Sequence, residues 1–384
     1  MSEPRPNVEK VRAKELPNYI RAFFNESESS EGTAPMSIQR AESMARNPCA
    51  QDDDIGLFAA HVGSKCVGYQ GLLPGRLRTA AGQTRVHWCS GGFVLPQYRN
   101  RMIAVLLTRA VQSLGCDLAV TAYSREVDML FQRLGFQEFG PLEYLVGFVN
   151  KLDVSRLALE RVRSWMPWGE PGAKEDLSVP RTPYQWSRKL FYDLWLSRAE
   201  HSAQACKLSL QPVDQLRPFT GDGPSPPYFE RDTDLINWML AYPWIASGGK
   251  DTVPEYYFRD VREFFRYYAY EMTGDQGSYR GFVVLSAQTE GNRTTVKVTD
   301  YALDKHEDAS LIFYALIRLC ALHKAGRIEA PMILAPWLDR LPGAGYVFRK
   351  QHRYYLGHPG TSGCFETMLG RIALRYSDGD CAFA

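Results

Sequence analysis

The chain has 384 residues, and its 45 Lys and Arg face 43 Asp and Glu for a formal net charge of +2. That balance gives no field for wholesale binding to nucleic acid or to an anionic membrane, so no nucleic-acid partner is expected. No apolar run approaches the ~20 residues needed to span a bilayer, and the polar start Met1-Ser2-Glu3-Pro4-Arg5 lacks a signal core. At roughly 150 residues per domain the length predicts two domains. The eight cysteines are scattered, with no Cys-x-x-Cys pair. They read as reduced thiols of a cytoplasmic protein, not as a disulfide frame or a metal site.

In chain order, residues 8–24 can form a helix, and residues 37–46 a second one that stops at Asn47-Pro48. Residues 55–62 and 66–73 read as two strands joined by Gly63-Ser64-Lys65, a hairpin signal. Pro74-Gly75 breaks the chain, and residues 83–95 supply the next strand. Period-two alternation places His87, Cys89, Gly91 and Phe93 on one face of that strand, with Trp88, Ser90 and Val94 on the other. A polar turn with Arg99 and Arg101 follows. Ile103, Leu106, Leu107, Ala110, Val111 and Leu114 then recur at three- and four-residue steps, one face of an amphipathic helix. A helix opening at such a turn is an anion site, since its first N–H groups converge and its dipole is positive there. The two arginines can pair with phosphates. Next come a short strand at 118–122, a helix at 125–134 with Ser124 as N-cap and Gly135 as stop, and strand character over 136–149.

The run Val94, Pro96, Tyr98, Arg99, Arg101 and Ala104 resembles the coenzyme motif of the GNAT family of acyl-CoA-dependent N-acyltransferases, Val-x-Pro-x-Tyr-Arg-Gly-x-Gly-x-Gly/Ala. Asn100 and Met102 stand where that family has glycine. Leu130, Leu134, Gly135 and Phe136 are similar to its later Leu-Tyr-x-x-Leu-Gly-Phe, which extends the resemblance over residues 40–150. The resemblance implies an α/β fold, acetyl-CoA or another acyl-CoA as substrate, and a pyrophosphate cradle at Arg99, Asn100, Arg101, Met102, Ile103 and Ala104. It also implies an oxyanion donor from the backbone at Phe93 and Val94, with pantetheine lying beside the splayed strand. Gly91-Gly92 suits such a splay or a bulge.

The middle of the chain differs. Turn-rich residues 167–172 precede a helix at 182–204 that is aromatic but also basic, fit either to touch a membrane surface or to pack between domains. Gly- and Pro-rich residues 218–227 mark a second boundary. After it the first half is rerun faintly: a helix at 232–242, strands at 279–287 and 294–303 across a turn at 290–292, a helix at 309–324, and a short strand at 331–336. Here the turn before the helix is Asp304-Lys305-His306-Glu307-Asp308, whose carboxylates repel a diphosphate. The expected architecture is therefore two GNAT-like mixed sheets flanked by helices in tandem. Residues 1–150 form the coenzyme-binding domain, 151–225 a helical linker and 226–384 a degenerate second domain.

Acyl transfer to an amine needs a base for the amine and an acid for the leaving thiolate. The resemblance implies a tyrosine acid at position 131, but Phe131 stands there, so Tyr123 is the nearest substitute. His87 is the candidate base, with Glu126 and Asp128 as further options; Cys89 has no nameable partner base for covalent work. The expected reaction is direct acyl transfer in a ternary complex to the amine of a small molecule or sugar. A second copy of the chain is a further candidate partner. The arrangement also resembles two-lobed GNAT proteins associated with the building of bacterial cell-surface polysaccharide. Two alternatives are a non-catalytic GNAT-like binding or regulatory protein and a Fem-type transferase that uses aminoacyl-tRNA. The latter calls for a more basic surface than this one.

Overall fold

The computed structural model describes residues 4–26, 33–121, 123, 125–149, 181–204, 209–219, 227–248, 257–258, 261–274, 277–343, 347–361, 365, 368 and 370–383. The chain opens with strand β1 (Asn7–Arg12) and helix α1 (Leu16–Glu26), where one helix was expected. Val8 and Val11 pair with Ala60 and Leu57 of the neighbouring strand, and β-branched side chains fit that pleated edge. Helix α2 (Ile38–Met44) begins as expected at Ser37, whose hydroxyl accepts from the Arg40 N–H at 3.2 Å. Strands β2 (Ile55–Val62) and β3 (Lys65–Thr79) follow. Pro74-Gly75 does not break β3. Past Gly71 that strand no longer pairs with β2, so a proline can leave its missing N–H on the unpaired side.

Then come β4 (Gly82–Val94), α3 (Ile103–Gln112), β5 (Leu118–Thr121), α4 (Arg125–Arg133) and β6 (Gln137–Phe148). The remaining elements are α5 (Arg181–Gln204), β7 (Ser209–Val213), β8 (Tyr228–Phe229), α6 (Thr233–Ala241), β9 (Ala246–Ser247), β10 (Val261–Arg262) and β11 (Phe264–Thr273). They close with β12 (Tyr279–Glu290), β13 (Arg293–Leu303), α7 (Ala309–Leu322), β14 (Arg327–Pro331), α8 (Ala335–Leu338) and β15 (Phe348–His358). Ser124 and the turn at 167–172 lie outside the described residues. Among the described residues no helix is long and apolar enough to cross a membrane, and no cluster of His, Cys, Asp and Glu can hold a metal ion.

The chain forms two compact units. Unit 1 takes residues 1–142, 213–269 and 352–384; unit 2 takes 143–212 and 270–351. Each unit is assembled from segments distant in sequence, three in unit 1 and two in unit 2. In unit 1, β1, β2, β3 and β4 run antiparallel in order, β5 joins β4 in parallel, and β15 pairs antiparallel with β5. Helices α3 and α4 cover one face. There Phe58, Val67, Leu72, Ile103, Leu107, Val111, Leu118, Val120, Phe131, Phe136 and Leu356 make one buried core. At Gly68 an added Cβ would sit 3.0 Å from Ile103, so α3 lies close on the sheet.

Unit 2 repeats the scheme with β14, β13, β12 and β11 in order, and the end of β6 antiparallel to β14. Helix α7 buries Leu311, Ile312, Ala315, Leu316 and Leu319, while Leu322 at its last position is 69% exposed. The aromatic face of α5 is structural: Trp195 is buried and donates to the Pro342 carbonyl at 3.0 Å, and the Tyr192 hydroxyl donates to the Ala325 carbonyl at 2.6 Å.

Candidate active site

The site grows from an irregularity in β4. Gly71 pairs with Ser90 but Tyr69 with Phe93, so β4 carries one residue more than β3 across this span. Gly91 absorbs it at φ +63°, a left-handed conformation that glycine adopts without strain. The Gln70 amide closes over the kink, donating to the Gly71 carbonyl at 3.0 Å. Pairing of β4 with β5 runs only from His87 to Cys89, while β4 continues to Val94. Beyond Cys89 the edge of β4 has no β5 partner among the described residues, as a coenzyme lying alongside β4 requires.

The extra residue also exchanges the faces of the strand, which strict alternation gets wrong. Cys89 and Val94 pack together on the α3 core, whereas Phe93 joins Trp88 and Ser90 on the other face. Its ring stacks on Tyr257 at 4.2 Å and meets Tyr69 at 5.8 Å.

Past Val94 the chain makes a tight 3-10 turn, Pro96–Arg101, and α3 opens directly after it. The Tyr98 ring lies within 5.1 Å of the Arg101 guanidinium and 5.9 Å of the Lys65 ammonium. Arg99 donates from Nε to the Val94 carbonyl at 3.4 Å, and Asn100 is exposed. Lys65 is a member that sequence motifs miss, since it arrives from the β2–β3 hairpin. No side chain caps α3, so its first N–H groups remain for a ligand. Ile103 is fully buried and Ala104 half-buried, and what they offer is backbone. These residues fit a diphosphate.

Met102 occupies a glycine conformation, φ +61° and ψ +14°. Its side chain is 62% exposed and does not fill the turn's core. A non-glycine residue there costs about 1–2 kcal/mol. Met102→Gly is therefore expected to gain about 1 kcal/mol in denaturant unfolding, with tighter acyl-CoA binding in a titration; a loss of stability would contradict this account.

The expected proton-transfer groups fare differently. His87 is 5% exposed, and its Nε2 lies 3.3 Å from Asp54 Oδ1. Burial pulls its pKa down, but Asp54 and Cys116 outweigh burial and raise it to about 9. Asp54 is held far below the ordinary carboxylate range, against burial, by His87, the Gln51 N–H and Arg85. His87 is thus engaged by Asp54 at the end of β4 away from the kink. Tyr123 is half-buried against the α3–α4 core, and burial with nearby Asp128 and Glu138 pushes its pKa up. Phe131 is buried in that core, 4.6 Å from Phe136, and burial also pushes the Cys89 thiol up. The side chain of Glu126 lies outside the described residues, and Asp128 accepts from Gln132 at 2.9 Å.

A polar chain invisible in the sequence reaches the kink instead. The Ser90 hydroxyl, 1% exposed, accepts from Arg40 Nη2 at 2.5 Å and donates to Asp380 Oδ2 at 2.5 Å. Arg40 is buried against Trp244 at 4.0 Å, and Trp244 stacks on Phe383 at 4.1 Å.

Unit 2 has a kink at the corresponding place and a different helix entrance. Val284 pairs with Asp300 but Leu285 with Val298, which leaves Thr299 as the extra residue of β13. In both units it lies four residues after parallel pairing begins, at His87 and at Thr295. At the start of α7, however, Arg280 is paired with Asp304 and Asp308, so the chain's own carboxylates occupy the helix entrance.

Both units thus hold a GNAT-like mixed sheet: antiparallel strands, a kinked strand, a helix, and a further strand parallel to the kinked one. No family model matches the chain, and no curated protein matches it. Among solved structures it is similar to a GCN5-related N-acetyltransferase from Anabaena variabilis, at 10% identity and a TM-score of 0.45, over 92% of this chain and 73% of that one. It is similar to Saccharomyces cerevisiae N-myristoyltransferase with bound myristoyl-CoA, at 12% identity and a TM-score of 0.45, over 94% and 79%. A tandem GNAT protein from the clavulanic acid biosynthesis pathway aligns at 13% identity and a TM-score of 0.44, over 92% of this chain and 98% of that one.

Proposed function

We propose that unit 1 is an acyl-CoA-dependent N-acyltransferase that passes an acyl group, acetyl in the first instance, to the amine of a small molecule or amino sugar. The observation that carries it is the direct succession of kinked β4, unpaired with β5 beyond Cys89, basic 3-10 turn and uncapped α3. The α3 N–H groups, Arg99 and Arg101 hold the diphosphate. The backbone N–H groups near Phe93 and Val94 meet the thioester oxygen as it gains charge. Attack is direct in a ternary complex, since burial keeps Cys89 protonated and unfit as a covalent relay.

Acetyl-CoA at about 100 times its Kd is expected to raise the Tm by roughly 5 °C, because a ligand bound only by the native state adds about 2.7 kcal/mol. Arg99→Ala, which deletes a charged contact, is expected to weaken binding about tenfold with the unliganded Tm unchanged. A second reading, a GNAT-like module that binds without catalysis, draws support from Met102 and Phe131, each a departure at a position the chemistry uses. A coenzyme-dependent shift without turnover of any amine favours that reading; no shift with any acyl-CoA removes the first.

A further inference from the structure

We propose that Asp380 accepts the proton of the attacking amine, with Ser90 and Arg40 holding its carboxylate at the kink of β4. The assignment rests on the acyltransferase reading of the same site. Among the described residues, Asp380 is the carboxylate hydrogen-bonded to β4 beside the kink, and it stands on the face that carries Phe93. Asp54 contacts β4 at its opposite end, where His87 and Arg85 engage it.

The carboxylate is half-buried and uses Oδ2 for the Ser90 hydroxyl, which leaves Oδ1 for an amine directly or through one water. Ser90 is itself fixed by Arg40, a cation buried on Trp244, so a positive charge stands two hydrogen bonds from the base. The turn Gly379–Ala382 that bears Asp380 is anchored at its far end by Phe383 on Trp244 and Trp238. Of the other titratable groups near Asp380, Arg40 from α2 reaches it through Ser90, Cys89 of β4 feels its charge from the strand's other face, and Asp378 and Cys381 lie beside it in the chain.

The step balances. The amine nitrogen bonds to the thioester carbonyl carbon, and its surplus proton moves to Asp380. The carbon–sulfur bond then breaks with its electron pair leaving on sulfur, giving an amide and a thiolate. The protonated carboxyl later returns its proton to the thiolate or to water.

The test measures free-thiol release from acetyl-CoA with glucosamine, spermidine and phenethylamine, in the wild type, Asp380→Asn, Asp380→Glu and Ser90→Ala. Asp380→Asn is expected to lower kcat at least 100-fold, to erase the acidic limb of the kcat–pH profile, and to leave the acetyl-CoA melting shift intact. Asp380→Glu should restore part of the rate and the limb. Ser90→Ala should lose about tenfold while keeping a displaced limb, which tests the chain if Asp380→Asn does not fold. Wild-type kcat in Asp380→Asn overturns the assignment, as does an Asp380→Asn rate loss accompanied by loss of the melting shift. A wild type that binds acetyl-CoA but turns over none of the three amines counts against the acyltransferase reading itself.

Discussion

Replacing His87 with alanine is expected to destabilise the protein by roughly 2 kcal/mol and to lower its Tm by roughly 5 °C near pH 6, because it removes one of the two cations paired with the buried Asp54 carboxylate and leaves Arg85 as the other. The pH dependence identifies the cause. The folded pKa of His87, about 9, lies above its unfolded value near 6.5. Its ion-pair contribution is thus fully present below about pH 6.5 and is lost as pH rises through 9. Asp54 is shifted the other way, so its share is present above about pH 4 and disappears as pH falls below that. Melting curves from pH 5 to 10 should show the gap between wild type and His87→Ala narrowing on the alkaline side, down to the packing loss. A gap that stays constant over that range would mean that imidazolium charge contributes nothing.

Deleting residues 352–384 should have a still larger effect: unit 1 is expected to lose cooperative unfolding altogether. Tyr355 and Leu356 are fully buried, and residues 355–358 pair with all four residues of β5. The same segment carries Phe365, also fully buried, and the Phe383 that stacks on Trp244. Removing it exposes a central strand edge and opens the core on both faces. Calorimetry of the shortened chain should show no transition assignable to unit 1 and no response to acetyl-CoA. A retained transition with a retained acetyl-CoA shift would show that residues 1–351 suffice.

The parts of the site legible in the sequence were those made by neighbours in the chain. Val94 to Ala104 announce a turn and a helix entrance through local chemistry, and Gly91-Gly92 announce a kink. Its consequence was not legible. Strict alternation puts Phe93 beside Cys89, whereas one inserted residue moves it to the face of Trp88 and Ser90. The contact of His87 with Asp54 was not legible, since the two lie 33 residues apart. Asp380 lies 290 residues from Ser90, and no local pattern links them. The make-up of each unit is hidden in the same way: turn-rich stretches mark where a chain can bend, and long-range strand pairing decides what it joins.

That pairing sets an order of events during synthesis. The strand beside β5 and the turn bearing Asp380 come from residues beyond 351, although the basic turn and α3 are made before residue 113. A ribosome therefore releases the anion-binding elements more than two hundred residues before the strand that completes their sheet. Throughout that interval the bare margin of β5 is open to pairing with other nascent chains, so slow translation of the second half is a hazard for this protein.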